Sequence, residues 1–253
     1  MIQPANDDAS TPRAVDVHCH LLPGVDDGPQ DLAESLALCQ ALVDDGVTAV
    51  AATPHQLGPY DLQNDGPQIL AAVRELASAA SHLPLQIVAG ADVRIDERLP
   101  QLVDEGCVLT IADAKTHLLL ELPHETYLDP LGTIKQLADW GIQTVMTHPE
   151  RHRYLAQSQR RLLAWIDAGA VLQVTAGSLL GEFGQTARAA AWRMLDEGLA
   201  GLVASDAHDV RRRSPRMTLA RAALAAAYGN DVAHLLLYEN PRLILAGQWI
   251  EEW

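Results

Sequence analysis

The chain has 253 residues, 48% of them hydrophobic and 20% charged, a balance that excludes disordered, collagenous and disulfide-stapled classes. That length fits one large domain or two small ones, with a core built from Leu, Val, Ile and Ala because aromatic residues are only 4%. The formal net charge of -15 argues against nucleic acid as a partner, and the same carboxylate excess, with ten histidines, is what bound metal would partly neutralise.

Residues 1–13 read as a loose polar and acidic tail, with no basic start or apolar stretch of a signal peptide. Beyond it there is no Gly/Ser linker, low-complexity block or repeat, so residues 14–253 read as a single domain. Predicted strands are Ala14–His18, Val47–Thr53, Leu85–Gly90, His117–Leu122, Ile142–Thr147, Ala170–Thr175 and Gly201–Ser205. Longer helical patterns alternate with them. Between Gln30 and Asp45, Leu32, Leu36, Cys39 and Val43 are spaced four, three and four apart; Leu70, Val73, Leu76, Ala77 and Ala80 make a second stripe within Pro67–Ala80. Further helices are predicted near Pro130–Trp140, Gln157–Ala168, Gln185–Glu197 and Pro215–Tyr228, and Gly46, Gly141, Gly169 and Gly198 stand where C-cap glycines belong. No uninterrupted apolar run approaches the roughly 18 residues of a membrane span. Cys19, Cys39 and Cys107 form no CxxC pair, which points to a reducing compartment and a soluble, cytoplasmic protein.

Seven β units alternating with helices imply a parallel sheet, and either an open doubly wound sheet or a closed barrel fits. The polar residues at strand ends favour the barrel. His18-Cys19-His20 ends the first strand, Thr53-Pro54-His55 the second; Asp92 follows the third, Glu121 ends the fourth, His148-Pro149-Glu150-Arg151 follows the fifth, Thr175-Ala176-Gly177-Ser178 the sixth and Asp206-Ala207-His208 the seventh. In a βα barrel the C-terminal ends of all strands meet on one face.

His18 and His20 are two apart, so on a strand both imidazoles face one side while Cys19 faces the other. Asp206 and His208 repeat the spacing. With His55, Asp92, Glu121 and His148 the set is five histidines and three carboxylates, more than one metal takes, and Asp27 in the Gly24-Val25-Asp26-Asp27-Gly28 loop could add another. Two or three divalent ions with a bridging carboxylate is the natural count. An isolated HxH is a weak signal; six of seven predicted strands ending in a ligand-competent residue is not. His82, His117, His124, His152 and His234 read as surface or packing residues. Arg151 and the run Arg211-Arg212-Arg213 follow the two histidine motifs by three residues, as a phosphate clamp would, although three consecutive arginines cannot all point inwards. Thiolate catalysis is excluded by spacing: the sixth residues after Cys19, Cys39 and Cys107 are Val25, Asp45 and Asp113, none of them Arg. Only Lys115 and Lys135 are present, and neither is placed to be a carboxylated bridge, which counts against a barrel hydrolase of C–N bonds.

Taken in order from residue 14 to about 245, these motifs, with Glu121-Leu122-Pro123 and Ala176-Gly177-Ser178-Leu179-Leu180-Gly181, resemble the PHP (polymerase and histidinol phosphatase) superfamily. Within it they resemble the bacterial protein-tyrosine phosphatases of capsule and exopolysaccharide operons. The resemblance implies an α/β, TIM-barrel-like fold, a distorted seven-stranded (β/α)7 barrel. It implies two or three divalent ions, manganese first and zinc or iron as substitutes: one on His18, His20, Asp92 and Asp206, one on Asp92, Glu121 and His148, one on Asp27, His55 and His208. Arg151 and Arg213 would bind phosphate. The implied partner is a phosphotyrosine protein, a bacterial tyrosine kinase. Two departures stand out: Asp92 replaces the usual bridging Glu, and Thr175 replaces the usual Asn, its hydroxyl expected to take over part of the amide's hydrogen bonding.

The expected reaction is phosphomonoester hydrolysis, a metal-bound hydroxide attacking phosphorus in line while the arginines stabilise the equatorial oxygens. The alternatives are a PHP phosphoesterase for a small metabolite such as histidinol phosphate, and a weakly active docking regulator of polysaccharide assembly. Tyr60 and Phe183 are candidates to stack on a substrate ring. The sequence leaves oligomeric state open.

Overall fold

In the computed structural model, which describes residues 13–124, 126–155 and 158–250, every predicted strand segment contains a strand, and two of them are followed by a further short strand beyond the predicted end. The runs β1 (Ala14–Cys19) and β2 (Val47–Ala52) follow the apolar pattern. Thr53-Pro54 then interrupts the ladder, since proline has no N–H to donate, and β3 (His55–Gln56) begins beyond it. In the same way β4 (Gln86–Ala89) is separated from β5 (Asp92–Arg94) by Gly90-Ala91. The remaining strands are β6 (His117–Glu121), β7 (Gln143–Thr147), β8 (Val171–Thr175) and β9 (Ala200–Ala204). Among the described residues there are thus nine short strands where seven were predicted, and each break puts a candidate ligand, His55 or Asp92, at the start of a new strand.

All strand pairs are parallel, in two sheets of order β1-β2-β4 and β3-β5-β6-β7-β8-β9. The sheets approach each other just past the ends of β1 and β9. There Cys19 bridges Ala207, the Asp206 N–H donates to His18 O at 2.7 Å, and the His20 N–H donates to Ala207 O at 2.8 Å. Asp16, fully buried, ties the same seam by accepting from the Ser205 N–H at 3.0 Å and the Ser205 hydroxyl at 2.5 Å.

Helices follow the strands: α1 (Leu32–Asp44), α2 (Gly66–Ala79), α3 (Leu99–Asp104), α4 (Leu131–Asp139), α5 (Gln159–Ile166), α6 (Ala176–Leu180), α7 (Gly184–Asp196), α8 (Met217–Tyr228), α9 (Asn230–His234) and α10 (Asn240–Leu245). Asp31 caps α1 by accepting from the Glu34 N–H, and Asp65 with Gln68 forms a reciprocal capping box on α2. The four predicted C-cap glycines all have positive φ. The short helices α3, α6, α9 and α10 escape a reading by periodicity because one or two turns do not make a stripe. One sheet face packs on the helices through Leu38, Leu76, Leu137, Trp165, Met194 and Leu224. The other holds Val15, Val17, Ala51, Leu119, Val145 and Leu202 against Ile244, Leu245 and Ile250 of the C-terminal segment. Both faces are therefore buried, and the strands read as continuous apolar runs. Among the described residues no helix is long and apolar enough to cross a membrane. Of the predicted tail, residues 1–12 lie outside the described residues.

His117 on β6 is fully buried, and burial pushes its imidazole down to about 4. The unfolded chain takes up that proton near pH 6.5, so this contribution to stability is complete above 6.5 and is lost as pH falls towards 4. Between about pH 7 and pH 5, His117→Gln is expected to lose on the order of 2 kcal/mol less than the wild type, read from urea midpoints.

Candidate functional site

The site starts at an irregularity in β1. Val15 and Val17 face the inner cluster, yet Cys19, two residues on, packs on the helix side. The register against β2 shifts between Asp16 and Cys19, and this parity change turns His18 and His20 towards the strand ends. Both rings are anchored from behind. His18 Nδ1 meets Gln173 Oε1 at 2.7 Å and His20 Nδ1 meets Asp26 Oδ2 at 2.6 Å, leaving both Nε2 atoms buried without a hydrogen-bond partner. Gly28 lets the Asp26 loop lie this close, because a Cβ there would stand 2.9 Å from the His20 carbonyl oxygen.

Around these two rings the fold gathers all nine predicted ligands. Ring or carboxylate atoms lie within 4.8 Å of one another in four overlapping groups: His20-Asp27-His55-His208, His18-His20-Asp92, His18-His148-Asp206 and His55-Asp92-Glu121. The set implied for a third ion, Asp27 with His55 and His208, recurs with His20 added. His148 groups with His18 and Asp206, and its Nε2 is 3.9 Å from Glu121 Oε1. His148 and Asp206 both hold left-handed backbone, with φ of 37° and 51°. For non-glycine residues this costs about 1–3 kcal/mol each, the kind of strain that collects at functional sites.

The electrostatics describe a site built around missing positive charge. Both Asp92 oxygens are buried without a hydrogen-bond donor, and so is the Nε2 of His208. Burial and the neighbouring Asp92 push Glu121 up to about 7, despite Arg94 at 2.9 Å. Burial, with Arg151 beside it, holds His148 well below its ordinary range. Burial alone would raise Asp206, but Arg151, His18 and Arg213 outweigh it and keep it ionised. Burial keeps His55, His148 and His208 neutral. Against the same burial, Asp92 and Asp206 raise His18, and Asp26 and Asp206 push His20 up to about 10. Carboxylates that draw protons onto buried rings, with both Asp92 oxygens lacking donors, fit divalent cations that would take the place of those protons.

On one side of the cluster, the Nη2 atoms of Arg151 and Arg213 converge on a single atom, Asp206 Oδ2, Arg213 at 2.5 Å. Arg211 and Arg212 stay exposed, their backbone N–H groups donating to Asp209. Phe183, the one phenylalanine of the chain, lies 4.5 Å from the Arg151 guanidinium and 6.0 Å from that of Arg213. Gly177 makes room for it, since a Cβ there would come within 3.0 Å of the ring. Tyr60 stacks on His55 with centroids 5.4 Å apart. The expectation for Thr175 is corrected: its buried hydroxyl has no hydrogen-bond partner, and it is the Thr175 N–H that donates to Glu150 Oε1 at 3.1 Å. Asp26, the anchor of His20, and Arg94, the partner of Glu121, were not anticipated, although each sits within two residues of a predicted ligand. His124 and His152, read from the sequence as surface or packing residues, stand against the His148 ring with centroids 5.6 and 5.9 Å away.

Residues 14–246 match the capsular polysaccharide synthesis CpsB/CapC family. The chain belongs to this family. It is 34% identical over 246 residues to the tyrosine-protein phosphatase YwqE of Bacillus subtilis, covering 93% of each. It also superposes on a crystal structure from work on YwqE and on CpsB of Streptococcus pneumoniae, described as metal-dependent tyrosine phosphatases, with a TM-score of 0.89, 30% identity and coverage of 94% and 97%. An organophosphorus hydrolase from Deinococcus radiodurans shares the fold at a TM-score of 0.59 and 15% identity, over 92% of each chain.

The ring contact with Phe183 orders both guanidiniums. Phe183→Leu keeps apolar bulk but loses the ring face, and affinity for inorganic phosphate is expected to fall about threefold to tenfold by calorimetry, while Phe183→Trp retains it.

Proposed function

We propose that the chain is a metal-dependent phosphomonoesterase acting on phosphotyrosine, with a tyrosine kinase of capsule or exopolysaccharide assembly as its protein substrate. The observation that carries the reading is the convergence of Arg151 and Arg213 on one carboxylate oxygen beside the cluster of buried, unpartnered ligand atoms. Two guanidiniums that meet on one anionic oxygen can meet on a phosphoryl oxygen. The names of the similar proteins support the same chemistry, and the family supports the capsule setting.

In this reading His18, His20, Asp27, His55, Asp92, Glu121, His148, Asp206 and His208 hold two or three divalent ions, manganese first. Bound there, such ions supply Lewis acidity, lowering the pKa of water and screening the phosphoryl charge. Gln173 and Asp26 hold the rings of His18 and His20 so that Nε2 of each points inwards. Arg151 and Arg213 orient the phosphoryl group and offset charge on its equatorial oxygens as the ester bond breaks. Asp206 keeps the two guanidiniums in register before substrate arrives. A phenolate leaves comparatively easily, so no strong general acid is required. Cys19 takes no part: it is buried, its thiol donates towards Ala207 O, and burial raises its pKa well above the ordinary thiol range. We further propose that the two sheets form one distorted barrel, closed at the β1–β9 seam and filled at the far end by the C-terminal segment, as a single domain. Three free thiols suit a cytoplasmic setting.

The test is phosphate release from a phosphotyrosine peptide by metal-stripped protein and by the same protein reloaded with Mn²⁺. Activity is expected only after reloading, abolished by EDTA and spared by thiol alkylation. Inactivity with metal verified as bound would shift the reading to a small phosphoester or a docking role. Arg151→Ala and Arg213→Ala are each expected to lower kcat/KM by about a hundredfold with metal content unchanged. A parallel loss of metal would make these residues structural instead.

A further inference from the structure

Beside the proposed catalytic cluster lies a cavity of about 440 Å³, lined by His124, Glu150, Arg151, Arg153, Phe183 and the first turn of α7. It adjoins the anion site, because Arg151 and Phe183 belong to both. Its two guanidiniums differ. Arg151 is largely buried and engaged by Asp206. Arg153, two residues on, is exposed and has no ion pair among the described residues. The facing wall is positive too: α7 starts there with no side-chain cap from Phe183, and the N–H groups of an uncapped first turn favour an anion nearby. Glu150 is the one carboxylate of the lining, and it is buried, its Oε1 accepting from the Ser178 hydroxyl at 2.7 Å and the Thr175 N–H at 3.1 Å. Burial, helped by Arg151 and Arg94, holds His124 below its ordinary range, a sign of the same positive field. A second cavity beside the cluster, about 630 Å³ at His208, is unlike it: Asp31, Glu34 and Asp209 line it along with Arg211 and Arg212, and those charges offset one another. In a chain of net charge -15, the wall at Arg153 is therefore where an acidic ligand is attracted rather than repelled.

We propose that this cavity takes an acidic side chain of the substrate, a glutamate or aspartate one or two positions from the phosphotyrosine, and that Arg153 selects it. The inference rests on the phosphatase reading and adds a substrate class to it, acidic phosphopeptides. The phosphoryl group lies deep, at Arg151 and Arg213, and the peptide backbone stays at the rim, a tyrosine side chain's length away. Neighbouring residues of an extended peptide are about 3.4 Å apart. A flanking carboxylate thus reaches Arg153 while the phosphate stays on Arg151. An exposed pair of this kind is screened by solvent and contributes about twofold to fivefold in affinity. It sets a preference among substrates and leaves the chemistry to the buried site.

The experiment compares two phosphotyrosine peptides, identical except for glutamates or glutamines at the two positions on each side, on Mn²⁺-reloaded protein. Salt at about 0.15 M screens charges more than about 8 Å away and leaves the direct pair. In the wild type, kcat/KM for the glutamate peptide is expected to exceed that for the glutamine peptide about fivefold, through KM. Arg153→Gln is expected to bring that ratio below about twofold, and Arg153→Glu to invert it. Taking the ratio within each protein cancels any general loss of activity or fold. A wild-type ratio near one, or a ratio that both variants leave unchanged, would overturn the subsite. Turnover of p-nitrophenyl phosphate, which has no flanking residues, separates the two readings: where it proceeds, a flat peptide ratio sinks the subsite alone. If neither it nor the peptides are hydrolysed, the phosphatase reading fails. Dissociation constants of the same peptides, read by fluorescence anisotropy, then decide the subsite, and a glutamate preference that is absent or survives Arg153→Gln overturns it.

Discussion

The carboxylate of Asp206 is held from several sides, and the rest of the site takes its position from it. One oxygen receives Nη2 of Arg151 and Arg213; the other lies 3.4 Å from Nε2 of both His18 and His20. Its own backbone N–H donates to His18 O, so the residue that balances the charges also joins β1 to the end of β9. The left-handed backbone at this position is the cost of aiming one side chain at both the histidines and the arginines. A displacement of Asp206 would therefore be felt in the seam, the histidine pair and the anion site together.

The buried site works through imbalance. Burial keeps His148 and His208 neutral, neighbouring carboxylates draw charge onto His18 and His20, and both Asp92 oxygens lack hydrogen-bond donors, an arrangement that would be costly in an apolar interior unless cations complete it. Guanidiniums supply part of the missing charge, Arg94 beside Glu121 and Arg151 with Arg213 at Asp206, where Phe183 also holds the latter pair. Under the proposed phosphatase reading, ordering that pair beforehand removes an entropic cost from binding the phosphoryl group.

Much of this was legible before folding, because its signals are local. The HxH spacing works on any strand, and strand ends carrying His, Asp or Glu recur along the chain, so the nine candidate ligands could be named by position. What failed to show did so for identifiable reasons. Asp26 looks like its neighbour Asp27, and only the fold-back over Gly28 distinguishes the anchor of His20 from a ligand candidate. His124 and His152 lie outside any motif, and only the fold stacks them beside His148. The Thr175 hydroxyl was expected to replace an amide, but Glu150 takes the backbone N–H and leaves the hydroxyl without a partner. The two additional strands resume just past the predicted ends at Thr53 and Gly90, and with two and three residues they are too short to show a period.

By itself the sequence determined the parallel α/β alternation, the four C-cap glycines, the excluded thiol chemistry and the identity of the candidate ligands, since each depends on residue type and spacing along a few consecutive positions. The tertiary structure decided how those ligands group, which of three consecutive arginines turns inwards, what anchors each ring and where a second histidine cluster forms. Those depend on parity changes such as the one in β1 and on contacts between residues nearly two hundred positions apart, such as Asp16 with Ser205, and no local pattern encodes them.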